Sequence, residues 1–314
     1  MNSALFLMNR VASFGWSSVN ALARGLAHRS QRARLPGRVI SVGNIQAGGA
    51  GKTPVVGWLA RQAHDRGLTV CILTRGYGGA WEKNLEGGVL APGETAAISE
   101  CGDEAALLRD LAPHAWIGVG RDRVAQFGRV RRRHSHLGLI ILDDGFQNFR
   151  IHKDVELVAL TSSRPGEKVF RDFQGALKAA DLLVWTKGDE APRAKTAPLV
   201  RLYFRLRAPV NVRTDALFVS GLADGEEAVN SARRAGYRIK RHLNFSDHEF
   251  YTREQVELIL AQAKAEGLAI LTTGKDWVKW REFGVSEEAV GVLEPEIELS
   301  DADRAVLERI VWGS

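Results

Sequence analysis

Residues 41–54 read SVGNIQAGGAGKTP; they follow the apolar run Val39–Val42 and lead into a helix-length amphipathic stretch from Thr53 to Asp65. A glycine-rich turn between a strand and a helix lets backbone N–H groups close around phosphate oxygens, and the helix start adds a favourable dipole. In such a loop Gly48, Gly49, Ala50 and Gly51 form the cradle. Lys52 reaches the β- and γ-phosphates, and the Thr53 hydroxyl ligates magnesium. The motif G-x-x-x-x-G-K-[ST] asks for glycine at position 46, where this chain has Gln46. Gly-Gly-Ala-Gly-Lys-Thr after a β-branched run still reads as a phosphate loop and not as a bare turn, which commits the chain to an α/β fold.

A second signal agrees. Leu139–Leu142 is a continuous apolar run that ends in Asp143-Asp144-Gly145, the form of a strand that delivers carboxylate to magnesium at the carboxyl edge of a sheet. Two adjacent acids there repel one another unless a divalent cation is shared between them. Around these anchors short apolar runs alternate with amphipathic ones. Strands are expected at 69–73, 116–119, 137–142, 155–160 and 182–185, and helices at 104–111 and 124–133. The fold expected is a P-loop NTPase-like, mostly parallel sheet with helices on both faces. Residues 199–212 alternate like an exposed β-ribbon and are expected to link to a smaller C-terminal α/β domain. That domain has strands at 217–220 and 269–272 and helices at 226–235 and 253–265. The divisions are therefore 1–37, 38–209 and 210–314.

The first 37 residues are apolar and then basic. Arg10, Asn20 and Arg24 interrupt the apolar residues, so the run falls short of the roughly 20 residues that cross a bilayer. The arginines Arg29, Arg32, Arg34 and Arg38 follow the apolar part, the reverse of a signal peptide. Two readings stay open on the residues alone: an interfacial helix with Phe6, Phe14 and Trp16 in the headgroup region, or a helix packed on its own domain. The formal net charge of +6 favours anionic partners without choosing among them. Cys71 and Cys101 belong to no metal or C-x-x-C pattern and read as reduced thiols.

The succession GNIQAGGAGKTP, TRGYGG, GDEA, VGRDRV, DDGFQ, FRD, SDHEFYT and TTGKD resembles the tetraacyldisaccharide 4'-kinases of lipid A biosynthesis, over nearly the whole chain. The resemblance implies transfer of the γ-phosphoryl group of ATP, with Mg2+, to the 4'-hydroxyl of tetraacyldisaccharide 1-phosphate. It implies Asp103 as the base that accepts the hydroxyl proton and His248 as its partner from the second domain, with Lys52 on the phosphates. Thr53, Asp143, Asp144 and Glu104 are the expected metal side. Arg75, Arg121, Arg123 and Arg171 are expected to meet the lipid substrate. It further implies a monomer held peripherally on anionic lipid at the cytoplasmic face of the bacterial inner membrane, with no nucleic-acid partner. Ala105, Asn148, Asp172, Glu249 and Gly274 depart from the residues frequent in that family.

One rival is a GTPase or another P-loop NTPase acting at the membrane. LLVWTKGD places Thr186-Lys187-Gly188-Asp189 after a strand, like a guanine-reading [N/T]-K-x-D loop, yet the metal strand shows D-D-G where a G-protein has D-x-x-G. A nucleic-acid-binding ATPase draws on the run Arg129–Arg133, which lacks the interleaved aromatics of single-strand binders.

Overall fold

The computed structural model describes residues 3–27, 31–192, 194, 196–207, 215–222, 225–247 and 249–313. Among them the strands are β1 (Arg38–Asn44), β2 (Val70–Thr74), β3 (Gly88–Leu90), β4 (Trp116–Val119), β5 (Leu139–Asp143), β6 (Val155–Thr161), β7 (Leu182–Lys187), β8 (Leu199–Arg201), β9 (Tyr203–Arg207), β10 (Asp215–Ser220), β11 (Arg238–Asn244), β12 (Ala269–Thr273) and β13 (Gly291–Glu298). The α-helices are α1 (Ser3–Ala27), α2 (Lys52–Asp65), α3 (Ala80–Lys83), α4 (Ile98–Cys101), α5 (Asp103–Leu111), α6 (Arg123–Arg133), α7 (Gly225–Arg234), α8 (Arg253–Ala265), α9 (Gly274–Trp280) and α10 (Asp301–Val311).

The larger sheet runs β3-β4-β2-β5-β1-β6-β7-β8. Its pairings are parallel except where β3 meets β4. Alternation sorts each strand's residues between two apolar layers. Ile40, Val42, Ile72, Leu139 and Ile141 pack with α2 and α5 on one face, whereas Val39, Cys71, Leu73, Ile140 and Leu142 pack with Phe127 and Val130 of α6 on the other. A strand buried on both faces reads as an unbroken apolar run, which is why the sequence signals it so clearly. The strand that feeds the phosphate loop, β1, lies centrally between β5 and β6, so the loop and the two aspartates emerge side by side at the carboxyl edge.

The smaller sheet runs β11-β10-β12-β13-β9, with only β9 antiparallel. Its core holds Leu217, Val219, Trp277 and the fully buried Trp280. The ribbon expected at 199–212 is divided between the sheets: β8 extends the larger one beside β7, and β9 closes the smaller one against β13. The alternation was real, but its apolar members face inward. Val200 and Leu202 are buried, and the Leu202 N–H donates to the Trp185 carbonyl at 2.9 Å. Two elements therefore cross the expected division at residue 210. One is β9; the other is α10, whose Leu307 and Val311 join the core of the larger sheet. Arg66 fastens this helix through a 2.7 Å pair with Glu308 and a stacked contact with Trp312.

Helix α1 is amphipathic with its sides reversed. Its polar side grips the body: the Ser13 hydroxyl accepts from the Phe170 N–H at 2.8 Å, Asn20 donates to the Arg171 carbonyl at 2.7 Å, and Arg24 meets Asp172 at 3.2 Å. Leu7, Met8, Val11, Phe14, Val19 and Leu22 point outward, each at least 63% exposed. Two residues, one in the first 37 and one at the start of β1, turn to the protein, as the reading of a helix packed on its own domain has it. Phe6 is half-buried beside Gly166, and Arg38 donates to the Ile310 carbonyl at 3.3 Å. Among the described residues no helix is long and apolar enough to cross a membrane.

Because Leu307 is buried in the larger sheet's core, Leu307→Ala should lower the stability of the unit carrying the phosphate loop by about 2–5 kcal/mol, through lost burial and the cavity left behind. The urea midpoint of the full chain reads this out. An unchanged midpoint means that α10 does not belong to that core.

Candidate active site

The loop between β1 and α2 turns through Gly51, whose φ of 70° lies in the left-handed region that glycine occupies without strain. Gln46 takes the place of the motif's first glycine and has a structural task. Its side-chain amide donates to the Ser163 carbonyl at 2.9 Å, while its oxygen accepts from the Thr161 N–H at 2.9 Å and the Thr161 hydroxyl at 3.1 Å. The root of the loop is thus fixed to the end of β6. On the other side Ala47 N–H donates to the Val169 carbonyl and Arg171 N–H to the Ile45 carbonyl, at 2.8 and 2.7 Å. The strip 169–171 is therefore laid along the loop.

At the end of β5, Asp144 has a φ of 50°, the only positive value for a non-glycine among the described residues. Such an outlier persists only where the surroundings enforce it. Here they are ionic: Lys52 Nζ lies 3.5 Å from Asp144, and Arg171 grips both carboxylate oxygens at 2.8 and 2.9 Å while also donating to Asn44. Burial alone would raise the Asp144 pKa, but the cationic Lys52, Arg171 and Arg123 override it and hold the carboxyl well below the usual range. Tight backbone packing maintains the turn, since a Cβ added at Gly43 would lie 2.9 Å from the Phe146 Cα.

Asp143 has the opposite surroundings. It is 3% exposed, its Oδ2 accepts from the Thr74 hydroxyl at 2.8 Å, and its buried Oδ1 has no hydrogen-bond partner among the described residues. Burial first, and then the charge of Asp144, raise its pKa. Glu104 is pushed up to about 7, by burial first and then by Asp143 and Asp103. No group of three or more His, Cys, Asp or Glu side chains among the described residues is gathered tightly enough to cage an ion. Magnesium does not require such a cage; it keeps several waters and takes one or two carboxylates together with phosphate oxygens. An orphaned carboxylate oxygen on β5, the strand paired with β1 whose loop leads to Thr53 at the head of α2, fits that requirement. Asp144, already saturated by two cations, and Glu104, near neutrality, fit it less well.

Asp103 opens α5 and is 4% exposed. Its Oδ2 lies 3.3 Å from Lys279 Nζ and 4.0 Å from Lys275 Nζ, both on α9 of the smaller lobe. Lys275 lies in the TTGKD segment and Lys279 one helical turn beyond it, and the sequence alone points to neither as a partner of Asp103. Their i, i+4 spacing, which stacks them on one helix face, was the available signal. His248 lies outside the described residues. Of the arginines expected on the substrate side, Arg123 is half-buried, with its pKa lowered by desolvation against the attraction of Asp143 and Asp144. Arg75 pairs with Glu82 at 2.5 Å, and Arg121 is exposed. Arg171 is committed to Asp144. Asp172, a departure from the family's usual residue, is buried and accepts from Gln147 at 2.7 Å as well as from Arg24.

The family model described as tetraacyldisaccharide-1-P 4'-kinase matches residues 5–311. Among curated relatives, the tetraacyldisaccharide 4'-kinase of Geobacter sulfurreducens is 33% identical over 283 residues, covering 82% of this chain and 78% of that protein. The one of Bradyrhizobium diazoefficiens is 30% identical over 309 residues, covering 92% and 87%. Among solved structures, LpxK from Aquifex aeolicus in complex with ATP superposes with a TM-score of 0.73 at 25% identity, covering 95% of this chain and 96% of that one.

The raised Glu104 pKa has a consequence for stability. A carboxyl whose folded pKa lies above its unfolded value of 4.5 contributes stability below 4.5 and loses it as pH rises through about 7. In protein free of nucleotide and metal, the stability of wild type relative to Glu104→Gln should therefore fall by about 3 kcal/mol between roughly pH 4 and pH 8. Denaturant melts of both proteins at each pH measure it, and a constant difference would mean that Glu104 ionises normally.

Proposed function

From the premise that the chain belongs to the tetraacyldisaccharide-1-P 4'-kinase family, we propose how its own residues carry out the reaction. The protein is an ATP-dependent kinase that transfers the γ-phosphoryl group to the 4'-hydroxyl of tetraacyldisaccharide 1-phosphate. The backbone of residues 48–51 and Lys52 hold the β- and γ-phosphates. Thr53 and Asp143 hold magnesium, which when bound screens the phosphates and stabilises charge on the departing ADP oxygen. The observation that carries this assignment is the buried Asp143 Oδ1 with no partner, beside a lysine that opens a helix.

Asp103 is the base. An alkyl hydroxyl does not ionise near neutral pH, so its proton must pass to a positioned acceptor as the new P–O bond forms and the bond to ADP breaks. Lys279, 3.3 Å from the carboxylate, supports this role by aiming it, with Lys275 farther off at 4.0 Å and paired with Asp247 at 2.6 Å. Because they stand on the smaller lobe, the base is fully set only when that lobe is docked. His248 enters the same place by resemblance to the family. Arg123, whose charge is felt by Asp143 and Asp144, is suited to an anionic lipid headgroup, and Arg75 and Arg121 join it by resemblance to the family.

The reversed amphipathy of α1 supports peripheral attachment to anionic lipid; that the protein is a monomer at the cytoplasmic face of the inner membrane is carried by resemblance to the family alone. With its polar side occupied by the body, its apolar side stays at least 63% exposed at Leu7, Met8, Val11, Phe14, Val19 and Leu22, although Phe14 meets the Phe173 ring edge-on.

Two experiments test this reading. Purified chain supplied with ATP, Mg2+ and tetraacyldisaccharide 1-phosphate in detergent micelles should yield the bisphosphorylated lipid, and Asp103→Ala should reduce turnover by about 100-fold or more, the scale of general-base catalysis. Near-normal turnover in that variant removes Asp103 from the role. Separately, wild type should co-float with vesicles containing phosphatidylglycerol, and the Phe14→Asp, Leu22→Asp double variant should remain in solution. Equal flotation would place the membrane contact elsewhere.

A further inference from the structure

Two motifs of the smaller lobe, SDHEFYT and TTGKD, meet at a carboxylate that stands apart from the acids of the larger sheet. Asp276, in the first turn of α9, is fully buried. Its oxygens accept from the Gly221 N–H at 3.0 and 3.1 Å, from the Tyr251 hydroxyl at 2.9 Å and from the Thr273 hydroxyl at 2.7 Å. Each donor belongs to the end of a different strand: Gly221 comes just after β10, Tyr251 lies beyond β11, and Thr273 closes β12. The three strands are parallel neighbours, so one carboxylate gathers the loops at their carboxyl ends. All three donors are neutral. A buried carboxylate held by neutral donors contributes little stability beyond an apolar side chain of its size, so what it supplies here is a fixed geometry.

That geometry surrounds Lys279. Its Nζ, 3.3 Å from the Asp103 carboxylate, also donates to the Glu249 carbonyl at 3.0 Å and lies 5.8 Å from the centre of the Tyr251 ring. The ring is clamped in turn, edge-on against Phe245 and Trp280 with centroids 5.0 and 5.7 Å away. Glu249 and Tyr251 belong to the segment that Asp276 anchors through the tyrosine hydroxyl, and Lys279 stands one turn along α9 from Asp276. Both sides of the lysine's seat therefore depend on the same carboxylate.

We propose that Asp276 is a positioning residue for phosphoryl transfer, acting through Tyr251 to hold Lys279 against Asp103. Without the hydroxyl tether, the segment carrying Glu249 loses its fixed distance from α9, and Lys279 loses the carbonyl and the ring that steer its ammonium toward the carboxylate. A displacement of about 1 Å at the reacting groups is enough to slow a reaction by up to about 100-fold. Nucleotide binding is spared, because the phosphate loop and both aspartates of β5 belong to the larger lobe.

This inference rests on the proposed role of Asp103 as base, and the two fail separately. Tyr251→Phe removes the hydroxyl and keeps the buried ring; Asp276→Asn is the second variant. In the lipid assay with the full chain, ATP and Mg2+, each should lower kcat by about tenfold and leave the KM for ATP within about twofold. Lys279→Met should show a loss of the same size. The deciding measurement is the double variant: Tyr251→Phe combined with Lys279→Met should be no slower than Lys279→Met alone, because the tyrosine acts through the lysine. A tyrosine that only stabilises the fold would multiply its loss with that of the lysine. Multiplied losses, or a normal kcat in either Tyr251→Phe or Asp276→Asn, overturn the proposal. Asp103→Ala reports on the other reading. Near-normal turnover there, with losses that still fail to multiply, removes only the base; a slow Asp103→Ala with multiplied losses removes only the link from Asp276 to Lys279.

Discussion

Everything at the carboxyl edge of the larger sheet answers to one electrostatic problem: four carboxylates, Asp103, Glu104, Asp143 and Asp144, are gathered in largely buried positions where an anionic nucleotide must also bind. Burial first, and then their mutual repulsion, raise the pKa of Glu104 and Asp143. The protein meets it unevenly. Asp144 is neutralised by Lys52 and Arg171 and takes an αL backbone in the process, Asp103 is met by Lys279 and Lys275, and Asp143 keeps a bare buried oxygen. A buried acceptor without a partner costs on the order of 1–3 kcal/mol. A cation arriving with the nucleotide would remove that cost, and on the proposed assignment binding and the relief of that cost are one event.

The cations that balance the acids come from separate parts of the chain, and this ties distant elements to the chemistry. Arg171 belongs to the strip that α1 holds, since Asn20 donates to the Arg171 carbonyl and Arg24 to Asp172. The helix proposed to lie on the membrane is therefore bonded directly to the backbone of a residue that clamps Asp144. Lys275 and Lys279 come from α9, whose Trp277 and Trp280 form the core of the smaller lobe. Helix α1, the phosphate loop and the second lobe are tied to the same acids.

The sequence revealed the parts of this arrangement whose signal is local. Central strands buried on both faces appear as unbroken apolar runs, and the Gly51-Lys52-Thr53 and Asp143-Asp144-Gly145 turns carry their chemistry in adjacent residues. What lay beyond reach was set by tertiary partners. Gln46 looked like a defect in the loop motif until its amide was found closing on Thr161 and Ser163. The alternation of residues 199–207 could not say that Val200 and Tyr203 serve different sheets. Nor could it say that α10 returns to the first core. The polar side of α1 also looked like its solvent side, because a helix that buries serine and asparagine against backbone groups inverts the usual pattern.

The central claim, that a carboxylate is kept bare for a cation that comes with the nucleotide, is tested most directly by the unfolding midpoint of Asp143→Asn beside wild type, each with and without MgATP. Without ligand, the variant should be the more stable protein, since the amide keeps the Thr74 contact and drops the buried charge. Wild type should gain about 2.7 kcal/mol when MgATP stands at a hundred times its Kd, and at that same concentration the variant should gain little. A less stable unliganded variant, or an equal gain from MgATP in both proteins, would contradict the account.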